Sequence, residues 1–266
     1  MEKTFGFVGA GNMGSALVRG LVAKQVVDPS NIFACDLDKE KIERLQAETK
    51  INATCDVGEV GDKVDVLFIA VKPQDIEKLL KSIPHNLEGV LVVSIAAGVP
   101  TKKIEEKIPK ARVVRVMPNT PAKVSEMASA YCLGASARPE DGELVAELLS
   151  SLGVCVKVEE NLMDAVTGLS GSGPAYIYLV IQALVEGGVK QGLSEGDAME
   201  LAVQTVKGAA EMVAKSGKSP KELIDEVASP GGTTIEGLKV LEEYKVREAF
   251  QKAVEAAAEK SRVLSG

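Results

Sequence analysis

The 266-residue sequence contains no tryptophan and a single histidine, and aromatic residues make up only 3% of it. One histidine excludes a multi-histidine zinc site, and it argues against a catalytic histidine–carboxylate pair. That histidine, His85, lies between a predicted helix and a predicted strand, and we expect it at the surface. The sequence therefore favours chemistry that needs neither a metal ion nor a histidine base.

Positive charge is also scarce, since 31 Lys and Arg residues face 38 Asp and Glu residues and give a net charge of −7. Without a basic stripe or aromatic stacking residues, we expect no nucleic-acid partner. The four cysteines form no C-x-x-C pair, so we expect free thiols in a reducing cytoplasm: Cys35, Cys55, Cys132 and Cys155.

Long hydrophobic runs are missing as well. The longest apolar stretch, residues 175–185, is shorter than a membrane span and contains Gln182. We expect no signal peptide before Thr4, because the first residues lead directly into a predicted strand. The expectation is a cytoplasmic protein without a membrane partner.

A glycine-rich turn near the start is the most informative feature that is present. The apolar run of residues 4–8 is followed by the letters GAGNMG at positions 9–14 and then by an amphipathic helical pattern. A strand, G-x-G-x-x-G and a helix in this order are typical of a dinucleotide-binding βαβ unit, although a purely structural glycine turn is the alternative. The residues expected to meet the phosphates are Gly9, Gly11, Asn12, Met13 and Gly14.

Asp36 ends the next apolar run, 22 positions after Gly14, where the ribose-binding carboxylate of such a unit belongs. A carboxylate there accepts from the ribose 2′-hydroxyl and repels a 2′-phosphate, so Asp36 favours NADH over NADPH. The alternative is that Asp36 and Asp38 only cap the helix predicted over residues 39–48.

Strands and helices alternate through the first half of the chain. The predicted strands are residues 4–8, 31–35, 64–71, 90–95, 113–117, 128–133 and 155–158, and the predicted helices between them are 13–24, 39–48, 73–82, 101–107 and 139–152. Continuous β-branched runs alternating with helices indicate an α/β fold with a doubly wound, mostly parallel sheet. We place this Rossmann-like dinucleotide-binding domain at residues 1–159.

Residues 160–266 are predicted to form an all-helical domain for substrate binding and dimerisation. The predicted helices are 162–168, 174–192, 194–215, 220–227, 234–243 and 246–264. Helix 174–192 is apolar on nearly every face and must be buried on all sides. Burial against a second copy predicts a homodimer, and a central helix within one bundle is the alternative.

Three loops follow predicted parallel strands, at the sheet edge where open α/β sheets bind ligands. The small residues of these loops leave room for a flat ring, and their prolines stiffen the turns. Lys72 is either a catalytic residue or a solvated charge. The side chain of Asn119 can donate a hydrogen bond to a carboxamide or to the substrate. The cofactor-binding residues expected from these loops are Ala70, Val71, Lys72, Pro73, Ala96, Ala97 and Asn119.

Two further loops interrupt the helical half, at residues 167–176 and 229–234. The second, which we call the carboxylate loop, combines successive glycines, hydroxyls and a helix N-terminus, an arrangement that favours anion binding. The alternative is that Thr233 or Thr234 is only an N-cap.

Together these segments resemble the pyrroline-5-carboxylate reductase family nearly end to end. The resemblance rests on residues 8–14, 70–74, 94–98, 117–121, 167–176 and 229–234, of which the last two are the most specific. It implies NAD(P)H-dependent reduction of a cyclic imine to L-proline at the junction of a Rossmann domain and a helical dimerisation domain. It also implies dimers that can assemble into larger rings.

The resemblance assigns roles to individual residues. Thr167 matches a threonine close to the imine, and the substrate carboxylate is expected at Ser229, Gly232, Thr233 and Thr234. Many members carry a serine or similar small residue where Asp36 stands, and often an asparagine near Val57, so at these positions the resemblance does not imply a preference for NADPH.

Two alternatives stay open at this point. A β-hydroxyacid dehydrogenase-like carbonyl reductase shares the domain plan but usually needs a catalytic lysine in the helical half, where the helix after residues 170–173 offers only Lys190. A dinucleotide-sensing protein without turnover is the other alternative, and the two structured loops argue against it.

Overall fold

An eight-stranded sheet with the order β3-β2-β1-β4-β5-β6-β7-β8 forms the N-terminal half of the computed structural model. The structure describes residues 3–61, 63–83 and 87–265, so the expectation for His85 lies outside the described residues. Neighbouring strands run parallel except β6 and β7, which are antiparallel. The strands are β1 Phe5–Val8, β2 Ile32–Cys35, β3 Asn52–Thr54, β4 Val66–Ile69, β5 Leu91–Ser94, β6 Arg112–Met117, β7 Met127–Leu133 and β8 Gly153–Lys157.

Apolar residues on both faces of the strands hold this sheet between two layers of helices. In β4, Val66 and Phe68 belong to one buried cluster, whereas Leu67 and Ile69 belong to the other. Alternating side chains point to opposite faces, so a strand covered on both sides must be apolar at every position. The helices of this half are α1 Asn12–Ala23, α2 Lys39–Thr49, α3 Val57–Gly61, α4 Ile76–Ser82, α5 Thr101–Glu105, α6 Pro139–Ser150 and α7 Met163–Val166.

The predicted fold class is confirmed, and two short elements were missed. Asn52–Thr54 and Val57–Gly61 were not predicted as strand and helix. A three-residue polar strand carries too little periodicity to be recognised, and it forms because β2 offers it a free edge. Beyond residue 160 the described residues are helical, as predicted.

Contacts among the described residues divide the chain into two units. The larger extends to Ser172 and includes the segment that begins at Glu255, and the smaller is Gly173–Val254. The predicted boundary between residues 159 and 160 stays a prediction about domain organisation. The remaining helices are α8 Gly173–Lys190, α9 Glu195–Lys215, α10 Pro220–Val227, α11 Thr233–Glu243 and α12 Val246–Ser265.

The smaller unit leaves large apolar side chains exposed. Its buried core is limited to Val185, Ala198 and Ala202, with Ile181 packed against them. On α8, Tyr178 is 59% exposed and Leu179 is 65% exposed. Exposed apolar side chains grouped in this way are typical of interaction surfaces.

One described helical stretch, Glu160–Lys190, is long and apolar enough to cross a membrane, judged by its 31 residues and its composition alone. The expectation of no membrane span rests on the short apolar run 175–185, and that reasoning does not cover this longer helical stretch. Length and composition alone are weak evidence for a span.

Candidate functional site

The glycine turn and three of the predicted loops meet at the carboxyl edge of the sheet. Val8 pairs with Ile69, Ile69 with Ser94, and Ser94 with Arg115, so β1, β4, β5 and β6 end side by side. β1 lies between β2 and β4, where the chain changes the direction in which it adds strands. This topological switch point is where open α/β sheets bind ligands.

The glycine turn is built as its sequence predicts. Gly9 has a φ of +107°, and a Cβ there would lie 2.6 Å from the carbonyl oxygen of Ala70. A Cβ on Gly14 would lie 2.1 Å from the carbonyl oxygen of Gly9. These two positions therefore admit only glycine, and they pack the turn closely against the end of β4.

Gly11 differs, because a Cβ there would meet no described atom within 4 Å. Gly11 is the N-cap of α1 and makes no side-chain capping bond. The first residues of α1 follow it, with Asn12 exposed and Met13 half-buried. Open space beside the N-terminus of a helix fits a diphosphate, which the amide groups and the helix dipole would bind.

Asp36 joins this turn to the end of β2. Its Oδ2 accepts a hydrogen bond from the amide of Ala10 at 2.6 Å, and its Oδ1 accepts from the amide of Asp38 at 2.9 Å. Asp38, not Asp36, is the N-cap of α2 and accepts from the amide of Lys41. The capping alternative is therefore wrong for Asp36, whose role in ribose binding stays a prediction.

A basic cavity of about 390 Å³ adjoins the turn. Arg19 and Arg44 share one carboxylate, with their Nε atoms 2.6 and 2.9 Å from the two oxygens of Glu48. The cavity is lined by Ala10, Gly11, Asn12, Ser15, Arg19, Lys41, Arg44, Glu48 and Lys123. Sequence analysis missed this cluster because its cations come from three separate segments and show no common spacing.

The loop after β4 begins at Ala70, whose amide donates to the carbonyl oxygen of Val8 at 2.8 Å. Ala70 and Val71 are half-buried, while Lys72 and Pro73 are exposed. Lys72 is the N-cap of the short turn Pro73–Asp75. The structure thus places the predicted residues of this loop beside the glycine turn.

The loop after β5 contributes Ala96, which is buried, and Ala97, which is half-buried. Gly98 has a φ of +71°, so the chain turns sharply away from the sheet there. Ala96 and Ala97 follow β5, beside the loop after β4. Their small side chains suit a flat ring at this edge, a role that stays a prediction.

Asn119 joins strand β7 to the segment of residues 167–171 through its side-chain amide. Its Nδ2 donates to the carbonyl oxygen of Ser170 at 3.0 Å, and its Oδ1 accepts from the amide of Ala128 at 2.9 Å. These bonds connect the end of β6 to the segment that contains Thr167. Cofactor contact by Asn119 stays a prediction.

Thr167 begins a π-helix, Thr167–Gly171, which the sequence does not predict. Its hydroxyl donates to the carbonyl oxygen of Met163 at 2.9 Å, leaving the oxygen lone pairs available as acceptors. Single π-helical turns occur frequently at functional sites. The unusual turn is thus a second, independent feature of the segment that sequence analysis singled out.

Two of the four cysteines have thiols whose pKa is strongly raised. Burial raises the pKa of Cys35 to about 12, and the neighbouring charge of Asp36 adds to the effect. Burial likewise raises the pKa of Cys132 to about 12. These thiols stay protonated at neutral pH, and among the residues described there is no group of three or more metal-ligating side chains.

The carboxylate loop belongs to the smaller unit. Gly232 is the N-cap of α11 and makes no side-chain capping bond, so Thr233 and Thr234 are its first two helical residues. The alternative that either threonine is the N-cap is therefore wrong. Ser229 and Thr233 are exposed, and Thr234 is half-buried.

Close packing shapes this loop. Gly231 has a φ of +72°, and the amide of Gly232 donates to the carbonyl oxygen of Ser229 at 2.9 Å. A Cβ on Gly232 would lie 2.6 Å from Oγ of Ser229. The hydroxyl and the helix N-terminus are thereby held together, as an anion site requires.

Comparison with known proteins covers the whole chain. Residues 160–264 match the family model for pyrroline-5-carboxylate reductase dimerisation, and residues 4–98 match that for NADP oxidoreductase, coenzyme F420-dependent. A pyrroline-5-carboxylate reductase of Methanosarcina acetivorans is 46% identical over 99% of this chain and 98% of its own length. One from Arabidopsis thaliana is 45% identical over 98% of this chain and 95% of its own length.

Solved structures agree with these matches. Plasmodium falciparum pyrroline carboxylate reductase with NADP bound superposes with a TM-score of 0.91 at 36% identity, covering 100% of this chain and 99% of that one. The enzyme from Coxiella burnetii also gives a TM-score of 0.91, at 34% identity over 100% of both chains. The chain therefore belongs to the pyrroline-5-carboxylate reductase family.

Proposed function

We propose that this protein reduces the cyclic imine 1-pyrroline-5-carboxylate to L-proline with NADH or NADPH, the final step of proline biosynthesis. The observation that carries the proposal is identity of 46% along essentially the whole chain with a relative named for that activity. The glycine turn and the carboxylate loop supply sites of the matching chemistry. Both alternatives drawn from the sequence lack a comparable full-length relative among the matches described above.

The chain's own residues suit the cofactor. Gly11 and the N-terminus of α1 would hold the diphosphate, Asp36 the adenosine ribose, and the loops at Ala70 and Ala96 the nicotinamide. When bound, NADH or NADPH supplies the hydride that reduces the imine carbon. The small side chains of these loops allow a flat ring to approach the edge of the sheet.

The substrate needs positioning more than acid–base chemistry. A protonated cyclic imine is already electrophilic, so its reduction does not need a histidine as acid or base. This agrees with a chain that has one histidine. Ser229, Gly232, Thr233 and Thr234 would bind the carboxylate through hydroxyls, amides and the positive end of α11. We assign Thr167 a place beside the imine, where its hydroxyl oxygen can accept a hydrogen bond.

Turnover of the imine with each cofactor in parallel tests the proposal. We expect consumption of NADH or NADPH that depends on 1-pyrroline-5-carboxylate and yields an equal amount of L-proline. A β-hydroxyacid offered with the oxidised cofactor should give no reaction. Binding of the cofactor without imine reduction would indicate the sensing alternative, and oxidation of the hydroxyacid would indicate the dehydrogenase alternative.

Replacing Thr234 by alanine should raise the KM for the imine about 5- to 30-fold, equivalent to about 1–2 kcal/mol, because one hydrogen bond to the carboxylate is lost. Steady-state kinetics would measure this, and the KM for NADH should not change. Thr205→Ala removes an exposed hydroxyl from α9 and serves as the control. Unchanged imine kinetics combined with weaker NADH binding would contradict the assignment.

We infer that the working form is a cytoplasmic homodimer built on the helical half, which can extend to a ring of dimers. Support comes from the matched dimerisation model and from the exposed apolar side chains of α8, including Ile177, Tyr178 and Leu179. A second copy would cover these side chains and remove them from water. Free thiols at all four cysteines suit a reducing compartment.

Light scattering at micromolar concentration should therefore give twice the mass of the chain or a multiple of that value. Leu179→Asp should shift the protein toward a smaller species, because it places a charge in the covered face. Leu37→Asp alters a leucine that is 86% exposed in the larger unit and should leave the assembly intact. A stable, active monomer of the unmodified protein would rule out this inference.

A further inference from the structure

We propose that Glu160, Asp164 and Ser261 are positioning residues that hold the loop after β5, residues 95–100, in the shape that the hydride transfer requires. The inference rests on the proposed function, which assigns Ala96 and Ala97 of this loop to the nicotinamide. We call the three side chains the loop brace. They lie within the larger unit, at positions that neither the sequence motifs nor the cofactor site includes.

Glu160 fixes the far end of the loop. Its Oε1 accepts from the amide of Thr101 at 2.7 Å, and its Oε2 accepts from the hydroxyl of Thr101 at 2.8 Å. Thr101 is buried and is the first residue of α5, directly after the loop. The guanidinium of Arg115, also buried, lies 3.5 Å from Oε1 of Glu160. One carboxylate thus joins the end of the loop to β6.

The last turns of α12 support the middle of the loop. A Cβ on Gly98 would lie 3.3 Å from Cβ of Leu264 and 3.4 Å from the carbonyl oxygen of Ser261. Ser261 is only 4% exposed, and its hydroxyl donates to Oδ1 of Asp164 at 2.6 Å. This bond fixes the last turns of α12 to Asp164 of α7, which lies four residues after Glu160.

The loop is packed against the core through Ile95, Ala96 and Val99, but few backbone hydrogen bonds hold it. The sheet ladder stops after Ile95, whose amide donates to the carbonyl oxygen of Ile69 at 3.0 Å. The amides of Ala96 and Val99 make long 3.4 Å bonds, the first to Oγ of Ser94 and the second to the carbonyl oxygen of Ala96. A displacement of about 1 Å at a reacting group can lower a rate by about 100-fold. The brace therefore acts on catalysis through the loop, without touching the reacting atoms.

Glu160→Ala removes the bonds to Thr101, whereas Asp164→Ala and Ser261→Ala each break the bond between α7 and α12. Asp164→Asn keeps an oxygen acceptor in place. Glu159→Ala is the matched control, because Glu159 is exposed and makes no capping bond. The measurements are kcat, the primary deuterium isotope effect with 4-deuterated cofactor, the cofactor Kd by calorimetry, and Tm.

We expect the three alanine variants of the brace to lower kcat about 10- to 100-fold and to increase the isotope effect, with the cofactor Kd changed less than about threefold, since the diphosphate is held elsewhere. Asp164→Asn should recover most of kcat. The inference is overturned if kcat is unchanged while Tm falls, if kcat and cofactor affinity fall together, or if asparagine is no better than alanine. An unmodified protein that does not reduce the imine refutes the proposed function itself, whatever the variants do.

Discussion

Replacing Gly14 by alanine is expected to weaken the binding of both NADH and NADPH by about 100-fold, or roughly 3 kcal/mol. The new Cβ would lie 2.1 Å from the carbonyl oxygen of Gly9 and 3.0 Å from Cβ of Ala70. Both the first glycine of the turn and the end of β4 must then shift. The open space at Gly11, where we place the diphosphate, would shift with them. Calorimetric titration of each cofactor into the unmodified and the altered protein measures the effect.

Gly20→Ala provides the matched control, because Gly20 lies on the same helix, α1. A Cβ there would be 2.5 Å from a terminal methyl of Leu152, the flexible end of a side chain. We expect it to lower Tm through overpacking while cofactor affinity stays close to that of the unmodified protein. Near-normal affinity of the Gly14→Ala protein for both cofactors would contradict our placement of the diphosphate.

Replacing Asp36 by serine is expected to move the ratio of kcat/KM for NADPH to that for NADH upward by about 5- to 150-fold, or about 1–3 kcal/mol. The carboxylate already accepts from the amides of Ala10 and Asp38. A carboxylate has about four acceptor positions, so two remain for ribose hydroxyls. Against a 2′-phosphate the same charge is repulsive, and we therefore expect the unmodified protein to prefer NADH.

The basic cavity opposes this preference. Its lining carries four positive charges, those of Arg19, Lys41, Arg44 and Lys123, and one negative charge, that of Glu48. A second carboxylate, that of Asp38, pairs with Lys41. Asp38→Ser is the control for Asp36→Ser, since it removes a neighbouring carboxylate, keeps a good N-cap residue for α2 and leaves the carboxylate of Asp36 in place. If the unmodified protein prefers NADPH and Asp36→Ser leaves the ratio unchanged, then Asp36 only joins the turn to β2.

The sequence by itself determined those features that depend on residues close together in the chain. The turn at Gly9–Gly14 is recognised from its place between an apolar run and an amphipathic helix, and continuous apolar runs identify strands such as β4 that are buried on both faces. The apolar composition of α8 likewise predicts a covered surface, and its burial against a second copy stays a prediction. The carboxylate loop could be recognised because its glycines, hydroxyls and helix start are adjacent.

Only the tertiary structure decided which distant groups meet. Asp36 bonds to the amide of Ala10, 26 positions away, and Ser261 bonds to Asp164, 97 positions away. The cations of the basic cavity and the π-helix at Thr167 have no periodic or compositional signal either. A hydrogen bond between remote groups produces no recognisable spacing of residues in the sequence. The packing of whole helices and strands decides which groups meet, and neighbours along the chain do not.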